Sequence, residues 1–197
     1  MFRRRRSLSF YQRKRVITPK MLKEILSWVI LTCIALLLAL ILVSAFGTRV
    51  RSVGDSMEPT LSNGQGVLVD RLAYKILSPK RNDLIVFLPN GNTNSHFYVK
   101  RVVAVAGETV QIKDGDLYIN GNLHEEDNEI YDKMEDGGIA AEPIKLKGGE
   151  YFVLGDNRNS SDDSRSADIG IVKTNMIIGK AWFKIKTKDN GGGFILK

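Results

Sequence analysis

Cysteine and histidine are nearly absent from the sequence. Its 197 residues include one cysteine, Cys33, and two histidines, His96 and His124. A single cysteine cannot form an intramolecular disulfide, so a hydrophobic core rather than covalent bridges must hold the fold together. So few cysteines and histidines form no clustered metal-ligand set, and no glycine-rich phosphate-binding loop is present. We therefore predict no metal ion and no nucleotide cofactor.

Net positive charge is absent outside the N-terminal arm, although the whole chain has a formal net charge of +7. Residues 1–24 contain nine Lys or Arg residues and one acidic residue, Glu24, so the rest of the chain is close to neutral. A nucleic-acid-binding domain carries its positive charge on the folded surface that meets the phosphates. The distribution therefore argues against nucleic acid as a partner and defines residues 1–24 as a basic arm.

The longest apolar segment is ILSWVILTCIALLLALILVSAF, residues 25–46, and it contains no charged residue. As a helix it would reach about 33 Å, which matches a bilayer hydrocarbon core of about 30 Å. A cleaved signal peptide is the alternative, but its apolar region is typically about 7 to 15 residues long. The length therefore favours an uncleaved, single-pass anchor in contact with membrane lipid. The basic arm before it predicts a cytoplasmic N-terminus, with residues 47–197 outside the cell.

Short apolar segments bounded by turn residues fill most of the chain after the anchor. They are rich in β-branched and aromatic residues, which favour β-strands, and they cover residues 66–72, 83–89, 97–107, 108–121, 150–156 and 176–185. Asp114-Gly115 and Asn120-Gly121 are typical hairpin turns, and the first divides the segment 108–121 into two strands. The pattern predicts a mostly β, antiparallel domain after an N-terminal transmembrane helix.

An acid-rich stretch interrupts this pattern between about residues 122 and 147. We predict a small surface insertion on the β domain there. A solvated loop is the simpler interpretation of its acidic residues, and a binding role is the alternative.

The segment GDSMEPT, residues 54–60, has the composition of a turn that presents a serine. Gly54 would let a substrate backbone approach Ser56 closely, and backbone N–H groups at a tight turn can point at a developing oxyanion. An ordinary surface turn has the same composition. A nucleophilic Ser56 would need a base. Neither His96 nor His124 is accompanied by a recognisable Asp-His-Ser arrangement.

The better candidate for that base is Lys100, in FYVKRVVAVAG, residues 97–107. In a strand, the period of two places Lys100 on one face with Tyr98, Val102 and Ala104. Burial on such a face would lower the pKa of the amine from about 10.4 by several units, so that the neutral base forms near neutral pH. A lysine that extends its amine into solvent is the alternative.

Four sequence blocks follow the apolar segment and resemble the bacterial type I signal peptidases. They are GDSMEPTL (54–61), RNDLIVFLP (81–89), YVKRVVAVAGETV (98–110) and GDNRNSSDDSR (155–165). Members of this family are membrane-bound Ser-Lys endopeptidases that remove signal peptides from exported preproteins. The resemblance extends over about residues 25–185, and it implies a signal-peptidase-type β domain with Ser56 as nucleophile and Lys100 as general base.

The last block matches the family motif whose polar residues support the dyad. Gly155 falls on this motif, and the resemblance assigns supporting roles to its polar residues Asp156, Arg158, Ser161, Asp163 and Arg165. Ser161 would help to orient the lysine, and Asp163 would form a charge pair with Arg165 that braces the loop. A Ca²⁺-binding loop is an alternative for such a composition, but the segment lacks the glycine and glutamate spacing of an EF-hand. A plain solvated loop is another alternative.

One position departs from part of the family. Gly54 stands where some members have a serine whose hydroxyl contributes to the oxyanion hole, so backbone N–H groups, those of Ser56 and its turn, would have to form the hole. Glycine there, with the short chain and single span, resembles the Gram-positive branch.

The resemblance implies a serine endopeptidase in the cell membrane that acts on preprotein signal peptides without a cofactor. Two alternatives remain at this stage. One is a noncatalytic, membrane-anchored relative that assists the assembly of surface proteins. The other is a Ser-Lys self-cleaving regulator, against which the apolar span argues because such regulators are cytosolic.

Overall fold

The computed structural model describes residues 18–92, 96–126, 131–187 and 190–195. The chain divides into two compact units, Met1–Ile41 and Leu42–Lys197. Most of the predicted basic arm, residues 1–17, lies outside the described residues.

Helix α1 (Pro19–Phe46) contains the predicted anchor and begins before it. Thr18 caps the helix, because its Oγ1 accepts a hydrogen bond from the N–H of Met21 at 3.3 Å. Pro19 occupies the first turn, where its missing N–H has no helical partner to lose. Among the described residues α1 is the one helix that is long and apolar enough to cross a membrane. Nearly all of its apolar side chains are exposed, as lipid-facing side chains would be.

Twelve short strands build most of the part of the second unit that the structure describes. They are β1 (Thr48–Arg51), β2 (Gly66–Asp70), β3 (Leu84–Phe87), β4 (Tyr98–Ala104), β5 (Thr109–Lys113), β6 (Asp116–Ile119), β7 (Asn122–Leu123), β8 (Ile144–Lys145), β9 (Glu150–Leu154), β10 (Val172–Lys173), β11 (Ile177–Lys184) and β12 (Gly193–Phe194). A short helix, α2 (Ala73–Ile76), follows β2, and single 3₁₀ turns lie at Pro89–Gly91, Gly138–Ala141 and Thr174–Met176.

Two antiparallel sheets result from the pairing of these strands. The larger has the order β1-β2-β11-β3-β4-β9-β10, with β12 added to β11, and the smaller has the order β7-β6-β5-β8. Strand β4 lies inside the larger sheet, where Ile85 of β3 pairs with Lys100 and Leu154 of β9 pairs with Arg101. The predicted mostly β, antiparallel class is confirmed, and each of the six predicted segments contains at least one strand.

Both predicted hairpin turns are present. The residues Asp114 and Gly115 have φ values of 54° and 83°, and Asn120 and Gly121 have values of 54° and 78°. Two successive positive φ angles define a type I′ turn, whose twist matches that of the flanking strands. The Asn-Gly and Asp-Gly pairs therefore determine the β5-β6 and β6-β7 connections.

The acid-rich segment contributes to the core in addition to the surface. It supplies β7, β8 and a 3₁₀ turn, and Met134, Ala140 and Leu146 are buried against the smaller sheet. A surface insertion therefore describes only part of residues 122–147. These elements are two to four residues long, which is too short for a hydrophobic period to be visible in the sequence.

Candidate active site

The turn that carries Ser56 is held to the core by its own apolar residues. Met57 and Leu61 are completely buried among the strands of the larger sheet, whereas Ser56 is only half-buried. Gly54 has a φ of 78°, which favours glycine, and its N–H donates to Oδ1 of Asn63 at 3.1 Å. The buried anchors therefore hold the turn in place and leave Ser56 at its surface.

Lys100 is buried, as the strand period predicts, with 2% of its surface exposed. Its Nζ donates to Oγ of Ser161 at 3.0 Å and lies 6.0 Å from the centre of the Tyr98 ring. Burial lowers the pKa of Lys100 to about 8, against the opposing attraction of the nearby Asp163 carboxylate. An appreciable fraction of the amine is therefore neutral, and able to accept a proton, near neutral pH.

Ser56 and Lys100 line one cavity of about 430 Å³. Three parts of the chain form its wall: the turn (Ser52, Val53, Gly54, Asp55, Ser56), the start of β4 with the residues before it (His96, Phe97, Tyr98, Val99, Lys100), and the third segment (Ser160, Asp162). The predicted nucleophile and base are thus brought together, although they are distant in sequence.

The segment 155–165 reaches the cavity through Ser161. Oγ of Ser161 accepts from Lys100 and donates to Oδ2 of Asp163 at 2.8 Å. Asp163 is fully buried, and its two oxygens accept from Nε and Nη2 of Arg165, each at 2.9 Å. Both oxygens of the Asp163 carboxylate therefore accept hydrogen bonds from Arg165, and one also accepts from the Ser161 hydroxyl. A carboxylate paired in this way with an arginine does not have the arrangement of a Ca²⁺ ligand. The contact expected between Ser161 and the lysine and the pairing of Asp163 with Arg165 are both present.

Gly155 lies at the closest approach between this segment and the turn. A Cβ at this position would lie 2.4 Å from the carbonyl oxygen of Ser56 and 2.2 Å from Oγ of Ser161. The same carbonyl of Ser56 accepts from the N–H of Asn157 at 3.1 Å. Only glycine fits here, because any side chain would separate the two serines from their present positions.

Asp156 pairs with Arg101, a site residue that sequence reasoning missed. Nε and Nη2 of Arg101 donate to the two carboxylate oxygens of Asp156, each at 2.7 Å, and the side chains are 7% and 0% exposed. This fork links β4, next to Lys100, to the start of the segment 155–165. A buried carboxylate needs a cation partner, but no local pattern in the sequence joins Asp156 to Arg101, which lies 55 positions away.

Arg158, by contrast, does not line the cavity. Its guanidinium is buried, and its Nε donates to the carbonyl oxygen of Gly155 at 3.1 Å. It pairs with Glu126, which belongs to the acid-rich segment.

The two histidines are far less embedded than Lys100. His96 is exposed at the edge of the cavity, and His124 lines a separate depression beside the acid-rich segment. Within the parts of the chain that the structure describes, no group of three His, Cys, Asp or Glu side chains has the arrangement of a metal site.

Comparison with known proteins gives consistent matches. A family model described as signal peptidase, peptidase S26, matches residues 25–186. Signal peptidase IB of Staphylococcus aureus strain COL is 34% identical over 178 residues, covering 83% of this chain and 91% of that protein. Signal peptidase I T of Bacillus subtilis strain 168 is 37% identical over 164 residues, covering 80% and 83%. A solved signal peptidase I from Enterococcus faecalis matches with a TM-score of 0.40 and 33% identity, covering 53% of this chain and 97% of that one.

Proposed function

This chain belongs to the signal peptidase family, peptidase S26, and we propose that it cleaves signal peptides from exported preproteins with a Ser56-Lys100 dyad. The observation that carries the proposal is the buried Lys100 amine, with its lowered pKa, in the same cavity as Ser56. A noncatalytic relative would have no need to keep a lysine desolvated beside a serine. The family and this geometry therefore favour an enzyme.

The reaction begins with proton transfer from Oγ of Ser56 to the neutral Nζ of Lys100. The serine oxygen attacks the scissile carbonyl, and the protonated lysine then gives its proton to the departing amine of the mature protein. The signal peptide remains as an acyl ester on Ser56. Lys100 next removes a proton from water, which attacks the ester carbonyl. The protonated lysine then returns this proton to Oγ of Ser56 as the ester bond breaks and the signal peptide leaves with a free carboxyl group.

Ser161 directs the lone pair of Lys100. A neutral amine has two N–H groups and one lone pair, so donation to Ser161 restricts where the lone pair can point. Ser161 is itself held, because its hydroxyl donates to the buried Asp163. The arrangement supports a positioning role for Ser161, with Asp163 and Arg165 behind it.

The N–H of Ser56 is the candidate oxyanion donor. Among the described residues it donates to no protein acceptor, whereas the N–H of Gly54 is engaged by Asn63. Gly54 provides no side-chain donor, so the hole relies on the backbone at Ser56. Preorganised donors of this kind are a large source of stabilisation in acyl transfer.

Membrane anchoring completes the proposal. Helix α1 has the length and composition of a span, and the basic residues before it favour a cytoplasmic N-terminus with the β unit outside the cell. Because the apolar segment of a signal peptide also lies in the bilayer, a shared membrane raises the effective concentration of substrate at the site.

Replacement of Ser56 or Lys100 by alanine tests the dyad. Purified, detergent-solubilised full-length protein would be incubated with a preprotein, and release of the mature protein would be measured. We expect Ser56→Ala and Lys100→Ala each to lower kcat by at least about 1,000-fold, since members of a catalytic unit fail together. Circular dichroism and thermal unfolding should confirm that each variant remains folded.

The double variant His96→Ala/His124→Ala is the control for the identity of the base. It should keep most of the wild-type activity, because neither imidazole has a place in the reaction. Full activity of Ser56→Ala or Lys100→Ala, or loss of activity in a folded histidine variant, would overturn the Ser-Lys mechanism.

A further inference from the structure

Arg158 forms a buried ion pair that the proposed reaction does not use. Its side chain is 1% exposed, and that of Glu126 is 16% exposed. Nη2 of Arg158 donates to Oε1 of Glu126 at 2.9 Å, and Nη1 donates to Oε2. The ring of Tyr131 covers the guanidinium, with 4.3 Å between Cζ and the ring centre.

These contacts compensate a charge that would be costly to bury alone. An arginine stays protonated, so a buried guanidinium needs a partner that satisfies both its charge and its donors. Glu126 supplies a fork of two charge-assisted hydrogen bonds, and Tyr131 adds a cation–π contact. Both partners come from the acid-rich segment, so this segment determines whether Arg158 can remain where it is.

Arg158 in turn holds the backbone that connects Ser56 and Ser161. Its Nε donates to the carbonyl oxygen of Gly155 at 3.1 Å, and its own carbonyl oxygen accepts from Nη2 of Arg165. The residue before it, Asn157, donates its N–H to the carbonyl oxygen of Ser56 at 3.1 Å. A displacement of Arg158 would therefore move the supports of the nucleophile and of Ser161 together.

We propose that Glu126 is a positioning residue for catalysis, acting through Arg158 on the segment that supports Ser56 and the hydroxyl that holds Lys100. The proposal rests on the dyad described above and gives a function to one acidic residue of the acid-rich segment. Neither Glu126 nor Arg158 lines the cavity. Their loss should therefore affect the chemical step more than the binding of substrate.

The chain offers a matched control in the same part of the molecule. Lys133 of the acid-rich segment pairs with Asp116 at 2.8 Å, but these side chains are 70% and 33% exposed. Exposed pairs contribute little to stability. Among the described residues the side chains of this pair bond to each other and not to the segment 155–165. The contact of Lys133 with that segment is made by its backbone carbonyl, which accepts from Nδ2 of Asn159 at 2.9 Å and does not depend on the carboxylate of Asp116. Asp116→Asn removes a carboxylate charge from an ion pair without reaching the site.

The test compares Glu126→Ala, Glu126→Gln and Asp116→Asn in the full-length enzyme, by preprotein cleavage well below the unfolding temperature of each variant. We expect Glu126→Ala to lower kcat by about 10- to 100-fold, the size of effect that a small displacement of catalytic groups produces. KM should change by less than about threefold. Glu126→Gln keeps one oxygen acceptor and should retain more activity than the alanine variant. Asp116→Asn should match the wild type.

The pH profile provides a readout that a purely structural role would not move. If the segment loosens, water reaches Lys100, its desolvation weakens, and its pKa rises toward the ordinary value. The rising limb of kcat/KM in Glu126→Ala should therefore shift to higher pH, and that of Asp116→Asn should not.

The proposal would be overturned if the folded Glu126 variants had the same kcat as Asp116→Asn and if the rising limb of their kcat/KM profile stayed at the wild-type pH. Should the alanine variant not fold, the glutamine variant decides by the same two measurements. Failure of the dyad itself is distinguishable, since the wild type would then be inactive or Ser56→Ala would be as active as the wild type.

Discussion

At the scale of single residues, burial decides what the Lys100 amine can do. An exposed lysine is protonated at neutral pH and cannot accept a proton, whereas desolvation lowers the pKa of Lys100 to about 8. The carboxylate of Asp163 opposes this decrease, but it is itself occupied by Arg165. The Asp163 carboxylate can therefore accept from Ser161, while the positive charge of Arg165 limits how far the carboxylate raises the pKa of Lys100.

The pH dependence of cleavage follows from this pKa. Only neutral Lys100 is a base, and its neutral fraction rises as pH increases through about 8. We expect kcat/KM, which reports the free enzyme, to increase about tenfold between about pH 7 and pH 9. The measurement is initial-rate cleavage of a preprotein across that range, with enzyme stability checked at each pH. An activity maximum below about pH 5 would contradict a lysine base.

Individual site residues were predictable to different degrees. Ser56 and Lys100 carry local signals, a turn composition and a strand period, and the family resemblance adds specificity to both. The partner of Asp156 carries no such signal, since Arg101 lies 55 positions away and the fork forms only when β4 and the segment 155–165 meet. The pair of Glu126 and Arg158 is hidden for the same reason, because long-range ion pairs leave no periodic pattern.

At the scale of elements, the segment 155–165 and the turn at Ser56 are packed without spare room. Gly155 is the contact point, and its missing side chain lets the backbone of Ser56 and the hydroxyl of Ser161 lie against it. Packing this close is costly to disturb, because protein interiors respond to an added methyl group by shifting side chains and backbone.

Gly155→Ala should therefore impair catalysis strongly. The new Cβ would lie 2.2 Å from Oγ of Ser161 and 2.4 Å from the carbonyl oxygen of Ser56, so both must move. We expect a loss of about 1 to 3 kcal/mol in the free energy of unfolding and a decrease in kcat of at least about 100-fold. Chemical denaturation and preprotein cleavage would measure the two effects.

Gly148→Ala is the matched control for Gly155→Ala, because a Cβ at Gly148 meets no atom within 4 Å. It should leave both stability and kcat close to those of the wild type. Equal activity of the two variants would show that the approach at Gly155 is not needed for the reaction.

Whether a strand could be predicted from the sequence depends on its length. The strands of at least four residues within the six predicted segments have alternating or continuous apolar patterns, and these predictions are confirmed. Strands β7, β8, β10 and β12 are two residues long and exist because longer neighbours pair with them. β1 is a short strand that directly follows the helix, and its only buried residue is Val50. Such elements depend on tertiary pairing, which sequence periodicity does not report.

At the scale of the whole molecule, the sheet leaves room for a substrate strand beside the candidate base. The pairing of β4 with β9 begins at Arg101, whereas its pairing with β3 begins at Tyr98. In this register, residues 98–100 have a strand neighbour on one side, and the cavity containing Ser56 lies along the same residues. An extended peptide that adds a strand here would bring its scissile carbonyl to the dyad.

Strand addition predicts a substrate preference at two positions. Alternate side chains of a strand point the same way, so the residues at −1 and −3 before the cut face the enzyme and the residue at −2 faces away. The resemblance to the signal peptidases implies that the pockets for these two side chains are shallow. Small residues such as Ala, Gly or Ser should therefore be accepted at −1, and Ala or Val at −3.

A preprotein with Ala at −1 and −3, compared with variants carrying Phe or Lys at −1, −2 or −3, tests this preference. We expect processing to fail for the changes at −1 and −3 and to continue for those at −2. One extra methylene in a binding pocket changes the transition-state free energy by about 1 to 3 kcal/mol. A large side chain that is sterically excluded should reduce kcat/KM by more than this. The sizes of the products, measured by mass spectrometry, would show whether cleavage has moved to another site. Efficient cleavage after Phe at −1, at the original bond, would contradict both the strand geometry and the proposed specificity for signal peptides.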